Sequence, residues 1–405
     1  MKFIPSTILS LLLLHPNASI GFHAPTAFVA PSSSRTASES SYSYSSSRLS
    51  ATCGGKLNSR VIGVGSAAPS TVVTNTDLEN IVETDDEWIR TRTGISERRL
   101  LLQSDDDDSE SEEGKKETIK SLAADAASKA LEMSELDAKD IDLVVVATSS
   151  PDDLFGDATS VAASIGATNA VAFDLTAACS GFLFATVTAG QFLDKGDMKH
   201  AIVVGADALS RWVDWDDRNT CILFGDGAGA TVMSTTAGDD DDDEDGPGIL
   251  GYSVHSNGNG YTELNCGYKG SARPVATPDE DTILSEGSYN KLFMNGKEVY
   301  KFATREVPTV LEEALDAAGM TVDEVDWLLL HQANIRIMQT VAKRLGMPMD
   351  KVITNLANYG NTSAASIPLA LDEAVRTGQV KKGDIIACAG FGAGLSWGSA
   401  IIRWG

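Results

Sequence analysis

Apolar positions in this chain fall into short runs, most of them preceded by a stretch with helical spacing. Residues 60–65 (Arg-Val-Ile-Gly-Val-Gly) read as a buried strand ending in glycine. Two later stretches share one plan. Ala130-Leu131 closes a helical pattern, Asp140-Ile141-Asp142 forms an acidic turn, and Leu143-Val144-Val145-Val146 is an apolar strand. Ala314-Leu315, Glu324-Val325-Asp326 and Trp327-Leu328-Leu329-Leu330 repeat that order. The likeness continues downstream: Cys179 lies 37 residues after Asp142, and Asn361 lies 35 after Asp326. Each is followed by a small-residue helix ending at Lys-Gly-Asp (Lys195-Gly196-Asp197 and Lys382-Gly383-Asp384). A strand and a glycine-rich turn come next, at residues 225–229 and 390–394. Four matches in one order indicate an internally duplicated α/β unit. Alternating helices and apolar strands predict a layered α/β architecture, with ligands at the carboxyl ends of strands. Cys179 and Asn361 are then expected at equivalent strand-to-helix junctions, facing one another across a pseudo-twofold axis.

Charge and cysteine content narrow the function classes. Of 405 residues 42% are hydrophobic, as in a globular protein, while the net charge is −25. So acidic a chain is not built for nucleic acid or an anionic membrane surface. Much of the charge is concentrated in an insert at 104–117 and a loop at 238–247, where like charges favour solvated segments. Five cysteines (Cys53, Cys179, Cys221, Cys266 and Cys388) form no CxxC pair, which argues against a disulfide framework or a structural zinc site.

Residues 1–55 do not read as fold. Lys2 precedes an apolar stretch at 8–14 that is too short to span a bilayer. A Ser-rich, acid-poor tract with Arg35 and Arg48 follows. A secretory signal and a transit-like tract in series resemble the bipartite presequence of proteins bound for the complex plastids of algae such as diatoms, with Phe22 or Phe28 near the first cleavage point. The expected address is the plastid stroma. The mature chain divides into an N-terminal half at 56–237 and a C-terminal half at 248–405, with no membrane span.

Three groups carry the chemistry. Cys179 offers a thiol at the start of a helix, where unpaired N–H groups and the helix dipole favour thiolate. His331 ends an apolar strand. Asn361 sits in Gly360-Asn361-Thr362-Ser363, a sequence that also suits a turn or a helix N-cap. Each alone has a structural reading: core thiol, satisfied histidine, cap. Together they make a nucleophile and two neutral N–H donors able to hold an enolate oxygen. The turn at 392–394 places the backbone N–H of Ala393 beside that of Cys179 as a second oxyanion site.

These segments resemble β-ketoacyl-acyl-carrier-protein synthase III of the thiolase superfamily. The likeness runs from about Arg60 to Gly405. It includes residues 86–95, the Cys179 segment, Asp217-Arg218, residues 224–230, His331-Gln332-Ala333-Asn334, residues 360–368 and residues 390–398. Asparagine at 361 separates it from elongating synthases, which carry a second histidine there, and the tryptophan segment near the start separates it from chalcone-type synthases. The resemblance implies a thiolase-like αβαβα fold and a homodimer. It implies that acetyl-CoA acylates Cys179, and that His331 and Asn361 hold malonyl-carrier protein through decarboxylation and condensation, with no metal or redox cofactor. It further implies that Trp88 and Arg218 sandwich the CoA adenine, while Thr84, Arg92 and Asn334 bind the nucleotide and pantetheine arm. Residues 327–349 contain no acid, and Arg336, Lys343 and Arg344 share a predicted helix face, which suits docking of an acidic carrier protein. Two other readings stay open: a condensing enzyme or acyltransferase of this fold with a longer acyl-CoA primer, and an idle, acidic calcium-binding protein.

Overall fold

The computed structural model describes residues 54–102, 117–236, 246, 248–274 and 283–405. The presequence (apart from residues 54 and 55) and the two acidic segments (apart from Glu117 and Gly246) lie outside the described residues. Ala51–Gly405 forms one compact unit.

Two five-stranded sheets carry the fold. The first contains β1 (Ser59–Ala67), β2 (Leu143–Ala147), β3 (Val171–Leu175), β4 (His200–Asp207) and β5 (Gly227–Thr235), in the order β1-β5-β4-β2-β3. The second contains β6 (Gly248–Ser256), β7 (Trp327–Leu330), β8 (Val352–Ile353), β9 (Ile385–Gly392) and β10 (Ser396–Arg403), in the order β6-β10-β9-β7-β8. Numbered within its own half, each sheet has the same strand order. The pairing senses match as well: β2 runs parallel to β3 and β4, as β7 does to β8 and β9, and the remaining pairs are antiparallel. The duplicated phrase in the sequence is a duplicated fold.

The uninterrupted apolar strands follow from burial on both faces. In β2, Leu143, Val145 and Ala147 enter one core cluster while Val144 and Val146 enter another. In β9, Ile386 and Cys388 face the middle of the molecule, whereas Ile385, Ala387 and Ala389 face outward. This two-residue alternation divides the apolar interior into three clusters around two sheets.

Helix α1 (Asp86–Thr93) starts where the Asp85 side chain accepts from the Trp88 N–H and stops at Gly94, a left-handed cap with φ of 84°. Helices α2 (Ile119–Ser134) and α3 (Ala158–Ile165) cover the outer face of the first sheet. Helix α4 (Gly181–Asp194) lies between the sheets; α5 (Gly296–Ala318) and α6 (Ile335–Leu345) cover the outer face of the second, and α7 (Ser366–Arg376) returns to the middle beside α4. The result is the αβαβα layering expected from the resemblance. Among the described residues, no helix is long and apolar enough to cross a membrane.

The two central helices begin at related turns. Residues Ala178–Ser180 and Ser363–Ala365 each form a single 3₁₀ turn directly before α4 and α7. Each turn opens on a non-glycine residue with positive φ, Ala178 at 48° and Ser363 at 52°. These turns match Ala178 with Ser363, and therefore Cys179 with Ala364. Asn361 thus lies just before the turn and is not the counterpart of the sulfur, because spacing measured from the preceding strand ran three residues short of the structural match. Gly205 lets the second turn reach β4: a Cβ there would fall 2.2 Å from the Ala364 carbonyl oxygen.

Candidate active site

Cys179 follows β3 and is 7% exposed. Hydrogen bonds in its turn use the N–H groups of Ser180 and Gly181, whose acceptors are the carbonyls of Ala177 and Ala178. The β9–β10 hairpin forms the wall behind it. A Cβ on Gly392 would come within 2.6 Å of the Cys179 nitrogen, so only glycine permits this approach. Ser396 fixes the wall in place: its Oγ lies 2.8 Å from Ser180 Oγ, 3.1 Å from the Ala177 carbonyl and 3.0 Å from the Ala393 carbonyl. Ala393 therefore stands beside the nucleophile turn and lines the cavity.

Asn361 is held by its backbone across the two halves. Its N–H donates to the Leu223 carbonyl at 2.8 Å, and its carbonyl accepts from the Gly225 N–H at 3.0 Å, forming a parallel bridge with Phe224. Its Oδ1 accepts the Ser363 N–H at 2.9 Å. The acceptor end of the amide is therefore engaged, and the Nδ2 end is left to donate.

His331 ends β7, with its N–H on the Ala389 carbonyl at 2.8 Å. The ring is 2% exposed and lies edge-on to Phe391, with centroids 5.4 Å apart. Nδ1 sits 2.6 Å from Ser366 Oγ, and that oxygen accepts the Gln332 N–H at 3.4 Å. With the serine hydroxyl donating to Nδ1, the ring proton sits on Nε2, the tautomer that can donate into the cavity. Burial lowers the His331 pKa to about 3, so the ring is a neutral donor near neutral pH. The ring's setting is enclosed and aromatic. Gln332 turns away and donates to the Leu330 and Ile353 carbonyls at the ends of β7 and β8.

All three groups line one cavity of about 1470 Å³. A thiol, a neutral imidazole and an amide from three distant segments thus open onto one space. The thiolate expected at Cys179 needs correction. Burial pushes the thiol up to about 12, outweighing the Ser363 hydrogen bond, and the nearby Asp207 charge adds to the rise. The site at rest is uncharged at both sulfur and imidazole.

At the cavity's outer part, the Trp88 ring lies between two guanidiniums: Arg218 at 4.1 Å and Arg92 at 4.5 Å from its centroid. Arg218 also donates to the Glu83 carbonyl at 2.8 Å. Trp88 and Arg218 are therefore in contact, and a base between them requires Arg218 to swing aside. Trp88, Arg92 and Asn334 line the cavity, while Thr84 and Arg218 stand outside its lining. Thr84 Oγ1 is buried and without a partner. Asn334 has both amide ends engaged, accepting the Arg336 N–H to cap α6 and donating to the Arg92 carbonyl.

The basic face divides in two. Arg336 donates through Nε and Nη2 to the Thr91 carbonyl, tying α6 to the last turn of α1. Lys343 and Arg344 are exposed in the last turn of α6, where cations also suit the helix dipole. Among the other described cysteines, Cys221 and Cys388 are buried, while Cys266 lines the cavity with its thiol on the Asn290 carbonyl. Sequence reasoning missed Ser363, Ser366 and Asp207. Serine in a small-residue turn carries no signature, and Asp207 meets the second turn, at the Ala364 N–H, only once the halves come together.

Comparison with known proteins agrees with this geometry. The family model for 3-oxoacyl-[acyl-carrier-protein] synthase III matches residues 173–258, and the model for its C-terminal part matches residues 315–404. A curated relative from Trichormus variabilis, beta-ketoacyl-[acyl-carrier-protein] synthase III, is 53% identical over 349 residues, spanning 86% of this chain and 99% of its own. A relative of the same name from Microcystis aeruginosa is 54% identical over 345 residues, spanning 85% and 97%. This chain belongs to the β-ketoacyl-acyl-carrier-protein synthase III family. The crystal structure of the Aquifex aeolicus family member superposes with a TM-score of 0.73 at 39% identity, covering 85% of this chain and all of that one. Membership makes the chain an acyltransferase of the condensing-enzyme type.

Proposed function

We propose that this enzyme initiates type II fatty acid synthesis by condensing acetyl-CoA with malonyl-acyl-carrier protein. Cys179 attacks the acetyl thioester, while the N–H groups of Cys179 and Ala393 receive the oxyanion. CoA leaves and malonyl-carrier protein enters. Nε2–H of His331 and Nδ2–H of Asn361 donate to the malonyl thioester oxygen, and decarboxylation places the electron pair on the α-carbon. That carbon attacks acetyl-Cys179, releasing acetoacetyl-carrier protein and the free sulfur. Both donors are neutral, so they stabilise developing negative charge without a resting ion pair that the substrate would have to break. The convergence of the three groups on one cavity, in a member of this family, carries the reading.

Trp88, Arg92 and Thr84 would hold the nucleotide and arm, with Arg218 closing over the base after it swings aside. Lys343 and Arg344 offer the free cations for an acidic carrier protein, and Arg336 acts mainly as a strap between helices. Cyanobacterial relatives and the composition of the first 55 residues support a plastid enzyme, and the family likeness supports a homodimer.

The decisive experiment is mass spectrometry after incubation with acetyl-CoA, with the acetyl group located by peptide mapping. Addition of malonyl-carrier protein should then release CO₂ and acetoacetyl product. An acetyl group on any residue but Cys179, or condensation without CO₂, overturns the reading. A product built preferentially from a longer acyl-CoA would reassign the primer.

A further inference from the structure

We propose that Ser363 is a further catalytic group, the hydroxyl through which the Cys179 sulfur gives up and recovers its proton, and that Asp207 is the positioning residue and proton acceptor behind it. This rests on Cys179 being the nucleophile. Ser363 Oγ is hydrogen-bonded to Cys179 Sγ at 3.3 Å. The Asp207 carboxylate lies against the same turn, accepting the N–H of the next residue, Ala364, and the Ser363 side chain favours its ionised form. Asp207 ends β4 and is fully buried. Its Oδ1 accepts from the Ser149 N–H at 2.8 Å, Ser150 Oγ at 2.8 Å and Thr148 Oγ1 at 3.3 Å, and its Oδ2 accepts from the Ala364 N–H at 3.2 Å. Sulfur, hydroxyl and carboxylate thus meet where the turn of one half, the turn of the other and the end of a strand come together.

A buried carboxylate is costly unless a function or partner retains it. Here no cation pairs with Asp207 among the described residues, although four donors besides Ser363 converge on it. Its charge opposes a thiolate at Cys179, and burial raises the proton affinity of both groups. Two such sites tend to share one proton rather than ionise together. A hydroxyl between them has one hydrogen and can face either way, so it suits the transfer.

The step balances as follows. As Sγ bonds to the acetyl carbon, the S–H bond breaks. Its proton passes to Ser363 Oγ, while the hydroxyl proton passes to Asp207. The bond from acetyl carbon to CoA sulfur breaks with its electron pair on that sulfur, and the departing thiolate takes a proton from water. When the substrate carbanion later displaces Cys179, the sulfur recovers its electron pair, and the path reverses to return the proton from Asp207.

The test is Ser363→Ala, scored by the rate of Cys179 acetylation from pH 6 to 9. The variant should fold, because the equivalent position in the other half is already an alanine of similar φ, Ala178. His331 and Asp207 are the titratable groups packed around the sulfur, and the low His331 pKa keeps its ring neutral across this range. The other charged residues lining the cavity (Arg92, Asp214, Asp217, Lys291 and Lys297) are not buried and stay unchanged in the variant. Acetylation should slow by about 10²-fold or more. Its rate should become proportional to hydroxide concentration, because the proton must now leave directly to solvent, while the wild type shows a shallower dependence. The melting temperature should fall by no more than about 1–4 °C, the cost of one buried hydrogen bond. Asp207→Asn should show the same steepened pH profile where it folds. A Ser363→Ala enzyme with the wild-type rate and slope overturns the inference and leaves the proposed function standing; absence of acetyl-Cys179 in the wild type overturns the proposed function itself.

Discussion

Replacing Asn361 with alanine separates the two half-reactions and tests two roles of one amide. The Oδ1 atom accepts the Ser363 N–H at 2.9 Å inside a buried turn. Losing that acceptor leaves a buried N–H unsatisfied, at a cost of about 1–3 kcal/mol. For a folded unit the size of Ala51–Gly405, about 2.1 cal/mol/K per residue makes the unfolding entropy about 0.7 kcal/mol per degree, so the melting temperature should fall by about 1–4 °C. The Nδ2 donor matters only when charge develops on the malonyl thioester oxygen. Loss of one such donor slows a step by about 10²–10³-fold, or about 2.7–4 kcal/mol. The assay is a two-stage experiment at a temperature well below either melting point. Acetyl-Cys179 is followed by mass spectrometry after acetyl-CoA alone, and CO₂ release is followed after malonyl-carrier protein is added to the pre-acetylated enzyme. Acetylation should stay within a few-fold of wild type, while condensation falls by the larger factor. Equal loss in both stages would refute the reasoning, because the amide would then be serving the nucleophile turn and not the enolate.

Three further outcomes follow from the geometry. Gly392→Ala puts a methyl 2.6 Å from the Cys179 nitrogen, so it should cost about 1–3 kcal/mol in stability by overpacking and slow acetylation about 10²-fold, measured by melting and by acyl-enzyme formation. His331, with its pKa lowered to about 3 by burial, takes up its proton more readily in the unfolded chain; stability from this group is present above pH 6.5 and lost as pH falls towards 3. At pH 4.5 the loss is about 3 kcal/mol, and His331→Gln should show a correspondingly smaller decline in melting temperature between pH 7 and 4.5 than wild type. Arg218→Ala removes a stack worth about 0.5–1 kcal/mol, so KM for acetyl-CoA should rise about 2–5-fold with kcat unchanged, as steady-state kinetics would show; a fall in kcat alone would contradict a binding role.

The layered fold was legible because β2, β4, β7 and β9 are buried on both faces and so appear as unbroken apolar runs. The duplication was legible because helix, acidic turn and strand recur in one order. The three chemical groups were legible because each closes such a run. The correspondence of the turns was not, since Cys179 aligns with Ala364 and only the backbone angles of Ala178 and Ser363 reveal it. The ionisation of Cys179 was misjudged for a physical reason. A helix start is visible in sequence, but enclosure by Gly392 and Phe391, contributed more than two hundred residues later, is not. Arg336 likewise read as a free cation until the Thr91 carbonyl was found beneath it. The partners of His331 and Cys179 escaped notice because Ser366 and Ser363 look like ordinary helix-start residues.

The wall behind Cys179 has a temporal consequence. Phe391, Gly392 and Ala393 are made more than two hundred residues after Cys179, and Asn361 can anchor to Phe224 only after the 136 residues between them. A growing chain therefore carries its thiol for some two hundred residues of synthesis before that sulfur gains a floor, a hydroxyl neighbour or a donor pair. The oxyanion wall arrives only with completion of the β9–β10 hairpin, so a product terminated before it has a thiol without that wall.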